Sequence, residues 1–99
     1  MPPLTLPRPG VADLPAADAE ERRQRPWIVI LYNDDWHSFD DVILQLQKAT
    51  GCSLERAETI ANEAHSRGRA VAYEGAAEEC ERVAAILRRI RLQVETDAV

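Results

Sequence analysis

A small α/β (α+β) domain with its elements in the order β-α-α-β-α-β is the fold class this sequence predicts, and three observations predict it. One continuous apolar, β-branched run, Trp27-Ile28-Val29-Ile30-Leu31-Tyr32, suits a strand covered on both faces and therefore central in its sheet. Three later stretches carry apolar residues at helical spacing, with short alternating stretches before and after the last of them. All six prolines fall within Met1 to Pro26. The chain therefore divides into a leader, residues 1–25, and a single domain, residues 26–99, of roughly 70 to 75 residues, a size with little room for an internal cavity. Any binding site must be a surface groove.

The leader is rich in Pro, Ala and charge, with Leu4, Leu6 and Leu14 as its large apolar residues, and reads as a disordered tail. After the first strand, Asn33-Asp34-Asp35 breaks the apolar pattern as a loop. Ser38 can cap the next helix, with Asp41 completing a capping box and Val42, Ile43, Leu46 and Ala49 forming the apolar stripe up to Gly51. Ser53 caps a second helix whose stripe is Ala57, Ile60, Ala61 and Ala64, ended by Gly68. His65 follows Ala61 by four positions and so shares its flank. Arg69 to Tyr73 alternates as a short strand. A third helix from about Ala77 to Ile90 buries Cys80, Ala84, Leu87 and Ile90, and Leu92 with Val94 begins the last strand.

Charge narrows the partners. Four arginines balance four acids in the leader, so the whole net charge of -5 lies in the domain. Nucleic-acid binding needs a concentrated basic face and is not expected of an acidic domain. No apolar run approaches the roughly 20 residues that cross a bilayer. The N-terminus has neither a signal-peptide pattern nor the acid-poor composition of a transit peptide, so a soluble, cytoplasmic protein is expected. Cys52 and Cys80 lack a CxxC or nearby histidine and read as reduced packing thiols.

The chemistry concentrates in Leu31-Tyr32-Asn33-Asp34-Asp35-Trp36-His37-Ser38-Phe39 together with His65. An amide, carboxylates and imidazoles beside apolar side chains suit one small cation that carries an apolar group, such as the amino terminus of a peptide. An α-ammonium offers three N–H donors and no acceptor, so its selective capture needs about three converging acceptors and a negative charge. Asn33 and Asp34 could equally form an Asx turn, and His65 could simply favour its helix dipole.

Taken with the order of elements, these residues resemble the ClpS adaptors of the N-end rule, which deliver substrates to the AAA+ unfoldases ClpA or ClpC. The resemblance runs from about Pro26 to Val94. It is strongest in Val29 to Asp35, in Val42-Ile43 with Leu46-Gln47-Lys48, in Glu55-Arg56-Ala57, and in Ala64-His65 to Gly68. It implies three helices packed on one face of a three-stranded sheet, and a carrier that performs no bond chemistry. It further implies binding of proteins by an N-terminal Leu, Phe, Tyr or Trp. The α-amino-binding residues would be Asn33, Asp35 and His65, and the side-chain pocket Leu31, His37, Phe39, Val42, Ala61, Ala64 and, more loosely, Leu92. Unfoldase contact would fall to Glu78 and Glu81, with Val83 where the family has a lysine and Arg82 one step earlier. Affinity then joins charge-assisted hydrogen bonds, about 1.5 to 3 kcal/mol each, to about 1.5 to 3 kcal/mol from burying a Leu or Phe side chain. An accepting His65 must be neutral, so binding is expected to weaken in acid.

Two departures bear on specificity. Phe39 and Ala61 stand where many members have methionine, and Ala64 where valine is common. The resemblance implies that a methionine in place of Ala61 gates out β-branched side chains, so a pocket that accepts Ile, Val or Trp better than is usual in the family is expected here, unless Phe39 swings in to fill the space. Two other functions compete. A metal-dependent hydrolase using Asp34, Asp35, His37 and His65 matches no established ligand spacing, and neither a metal nor an organic cofactor is expected. An unfoldase modulator of the same fold, without N-terminal recognition, is the second.

Overall fold

The computed structural model describes residues 16–99. The elements are α1 (Ala16–Gln24), β1 (Trp27–Tyr32), α2 (Phe39–Thr50), α3 (Leu54–Arg67), β2 (Arg69–Gly75), α4 (Ala77–Arg88) and β3 (Val94–Ala98). From β1 onward the order is the expected β-α-α-β-α-β. The three strands form one antiparallel sheet in the order β2-β1-β3, with β1 central.

The side-chain period of two splits β1 cleanly. Val29 and Leu31 are buried against the helices with Ala70 and Ala72 of β2 and Val94 of β3. Ile28 and Ile30 point to the other face and are only half-buried, so the apolar run is packed by helices on one face rather than two. The helices complete the core with Ile43, Leu46 and Ala49, with Ala57, Ile60, Ala61 and Ala64, and with Cys80, Val83, Ala84 and Leu87. Cys80 is buried, Cys52 half-buried, and both are unbridged.

Helix ends follow the sequence signals. Ser38 Oγ accepts from the Asp41 N–H and Ser53 Oγ from the Arg56 N–H, each at 3.1 Å. The reciprocal half of the expected capping box at Asp41 is not formed among the described residues. Gly51 and Gly68 close α2 and α3 at φ 71° and 89°, a left-handed turn that a Cβ disfavours.

Four boundaries differ from expectation. Helix α1 falls inside the expected tail; Arg22 pairs with Asp97 at 3.1 Å, and the Trp27 Nε1–H donates to the Arg22 carbonyl. The rest of the expected tail, residues 1–15 with Leu4, Leu6 and Leu14, lies outside the described residues. Strand β2 runs on to Gly75. Helix α4 stops at Arg88, two residues short of Ile90, because Arg91 turns the chain at φ 64°. Leu92 consequently precedes β3, which starts at Val94 and runs to Ala98.

Candidate functional site

The end of β1 is fixed from both sides. The Tyr32 N–H donates to the Gln93 carbonyl and the Asn33 N–H to the Gly68 carbonyl, each at 2.9 Å. Gly68 is the residue that turns α3 into β2, so this bond brings the last turn of α3, with His65, beside Asn33. Asn33 and His65, 32 positions apart in sequence, thus meet through one backbone contact.

A pocket of about 320 Å³ opens there. Its lining holds all ten residues selected from the sequence: Asn33, Asp35 and His65 of the polar set, and Leu31, His37, Phe39, Val42, Ala61, Ala64 and Leu92 of the apolar set. Tyr32 and Asp34 complete it. Asn33, Asp35 and His65 are exposed at its opening, whereas Leu31, Ala61, Ala64 and Leu92 are buried in its walls. Phe39, 40% exposed, stands at the rim. The arrangement can pair a hydrogen-bond donor at the mouth with an apolar group inside, and its size is at the small end for ligand pockets.

Asp34 organises the loop from within. Its Oδ1 accepts from the Trp36 N–H at 3.1 Å and the His37 N–H at 2.8 Å, so Asp34, rather than Asn33, makes the Asx turn. Its Oδ2 meets His37 Nδ1 at 2.6 Å, with the two side chains only 10% and 6% exposed. His37 Nε2 meets the Ile90 carbonyl. Burial opposes both charges, but the backbone donors and the ring outweigh it and hold the Asp34 carboxyl below its usual range. For His37, burial likewise works against the charge, yet the Asp34 carboxylate, the Ile90 carbonyl and the Asp41 charge hold the ring above the usual imidazole range.

Sequence reasoning missed Tyr32 in the lining and the inward role of His37. Tyr32 was legible in principle, as the last residue of the strand that delivers Asn33. The partner of His37 Nε2 is a main-chain carbonyl 53 positions away and leaves no trace in side-chain pattern.

The expected unfoldase-contact residues Glu78, Glu81 and Arg82 are exposed at the start of α4, away from the pocket lining. Val83 is fully buried and belongs to the core, so Arg82 is the surface cation there. Arg23 of α1 reaches Glu78 at 3.1 Å and Glu81 at 4.0 Å. Among the described residues, no group of three or more His, Cys, Asp or Glu is arranged to hold a metal, and no helix is long and apolar enough to cross a membrane.

Comparison with known proteins places these features in a lineage. The chain is 29% identical over 70 residues to the ATP-dependent Clp protease adapter protein ClpS of Rhodococcus opacus, covering 71% of this chain and 62% of that protein. It is 33% identical over 67 residues to the human E3 ubiquitin-protein ligase UBR1, covering 68% of this chain and 4% of that much longer one. Among solved structures, that of Agrobacterium tumefaciens ClpS2 bound to L-phenylalaninamide matches with a TM-score of 0.72 at 22% identity, over 78% of this chain and all of that one, a likeness of fold. Residues 22–95 match the family model described as ATP-dependent Clp protease adaptor protein ClpS, and the chain belongs to the ClpS family.

Proposed function

We propose that this protein binds other proteins by a free N-terminal residue with a large apolar side chain and delivers them to a ClpA- or ClpC-type unfoldase for degradation. The observation that carries this reading is the single pocket in which Asn33, Asp35 and His65 stand at the mouth of an apolar hollow. Asn33 Oδ1, the Asp35 carboxylate and a neutral His65 nitrogen would accept the three N–H bonds of the α-ammonium, while Leu31, Val42, Ala61, Ala64 and Leu92 would surround the side chain. L-phenylalaninamide, the ligand of the Agrobacterium protein, has that combination of a primary amine and an apolar side chain.

Ala61 and Ala64 leave the inner wall small, and Phe39 stands at the rim, so the pocket should admit Ile and Val beside Leu, Phe, Tyr and Trp. Glu78, Glu81 and Arg82 would form the unfoldase contact. Fluorescence anisotropy with peptides differing only in residue one (Leu, Phe, Trp, Ile, Met) tests both points. Binding of the Leu, Phe and Trp peptides supports the adaptor, and absence of any Ile binding refutes the widened pocket. Binding of the unfoldase N-domain with no peptide binding at all would select the modulator instead.

A further inference from the structure

We propose that His37 is a doubly protonated imidazolium that clamps the Asn33–Ser38 loop to the turn between α4 and β3. It is thereby a positioning residue for the N-terminal residue read above, a reading on which this second role rests. Each ring nitrogen faces an oxygen: Nδ1 the Asp34 Oδ2 at 2.6 Å, Nε2 the Ile90 carbonyl. A neutral imidazole has one N–H and one lone pair, so either tautomer would set a lone pair against an oxygen in a site where the side chain is 6% exposed. A protonated Asp34 could donate from Oδ2 to Nδ1, but the two backbone N–H bonds that its Oδ1 accepts favour the carboxylate and so leave the proton on the ring. Two protons on the ring satisfy every partner.

The groups around the ring fit a cation. Asp34 faces it from the loop, Asp41 from α2, and the Ile90 carbonyl from the turn beyond α4. The Trp36 ring lies against it with centroids 3.8 Å apart, tilted by 35°. Lys48 of α2, along the outer groove that His37 also borders, is the opposing charge, and Asp35 and His65 line the same pocket as His37. Asp34 and His37 cancel, which leaves Asp35 as the net negative charge to meet an ammonium.

The position of the ring explains its reach. The loop that it holds carries Asn33 and Asp35, the helix beginning two residues later supplies Phe39 and Val42, and Ile90 lies two residues before Leu92. Removing the Nε2 proton would release the turn that presents Leu92 from the loop that presents the polar mouth.

The ring nitrogens of the ligand-free full chain, followed by ¹⁵N NMR against pH, decide the clamp without any peptide. Both His37 nitrogens should be protonated at pH 7, and Asp34→Asn, which places a donor against Nδ1, should leave the ring neutral at that pH. As the pH is raised, the backbone amides of Asn33, Asp35 and Leu92 should shift together with the deprotonation of the ring. A single neutral tautomer at pH 7 in the wild type overturns the clamp, and a ring that titrates without moving those amides overturns the positioning role. Binding of a Phe-initiated peptide at pH 7, where the peptide amine is still mostly charged, should be about tenfold weaker in His37→Gln. Unchanged affinity in a folded His37→Gln also overturns the role, and should that variant fail to fold, the joint movement of the Asn33, Asp35 and Leu92 amides with the ring in the wild type decides it. A wild type that binds no free-amine peptide refutes the reading of the pocket, while the ring resonances still judge the clamp.

Discussion

The loop at the pocket and the start of α4 are both rich in charge, yet they hold it differently. In the loop, the Asp34 and His37 side chains are largely enclosed and bonded to each other, to two backbone N–H groups and to a carbonyl from a distant turn. At the start of α4, Glu78 and Glu81 are exposed, and each pairs with Arg23, itself exposed, from α1. Buried polar bonds fix geometry because breaking them strands a desolvated partner, whereas exposed pairs exchange readily with water. The first arrangement suits a preformed recognition pocket, and the second suits a face that must yield to a partner.

Changes at the pocket mouth should have the largest effect. Asp35→Ala removes the net negative charge and should weaken binding of a Leu-initiated peptide by about 10- to 100-fold, the range for a hydrogen bond to a charged group. Full affinity in that variant, measured by anisotropy, would remove Asp35 from the amine site.

Next in size is the buried pair. Asp34→Ala strands the imidazolium and the two N–H groups, and should cost about 2 to 3 kcal/mol of unfolding free energy in urea, below the range for a fully enclosed pair because the pocket admits water. The pH dependence has a definite sign. Asp34 is held below its ordinary 3.8, so its contribution is complete above that value and is lost as the pH falls through the lowered one. His37 is held above its ordinary 6.5, so its contribution is complete below that value and is lost as the pH rises through the raised one. The cost of Asp34→Ala should therefore peak between those two ordinary values and shrink on either side. A cost independent of pH would mean that the pair is not ionised.

Smaller still is the effect at the inner wall. Ala61→Met should reduce affinity for an Ile-initiated peptide about tenfold, by overfilling the space beside a branched side chain, and leave Leu binding nearly intact. Equal losses for both would show that the alanine sets pocket stability rather than selectivity. The smallest effect belongs to the α4 face, where Arg23→Ala should leave the thermal midpoint unchanged within error because both partners are solvated. A clear drop would mean that α1 is part of the folded unit's stability.

The same contrast marks how far the sequence could be read. The central strand, the two serine caps and the two glycine terminators were legible because each depends on local chemistry, and the ten lining residues followed from a family pattern laid over them. The end of α4 was not, since Arg91 adopts a left-handed turn with no glycine to announce it. Helix α1 was missed because its composition resembles a solvated leader, and its described contacts include single side chains reaching Asp97 and Glu78 from afar.

The most direct test compares one Leu-initiated peptide with a free and with an acetylated N-terminus, titrated against the full chain at neutral pH. Acetylation removes the ammonium's charge and two of its three donors, so affinity should fall by about 100-fold or more. Equal affinity for the two peptides would contradict the central claim that Asn33, Asp35 and His65 are there to hold a free amino terminus.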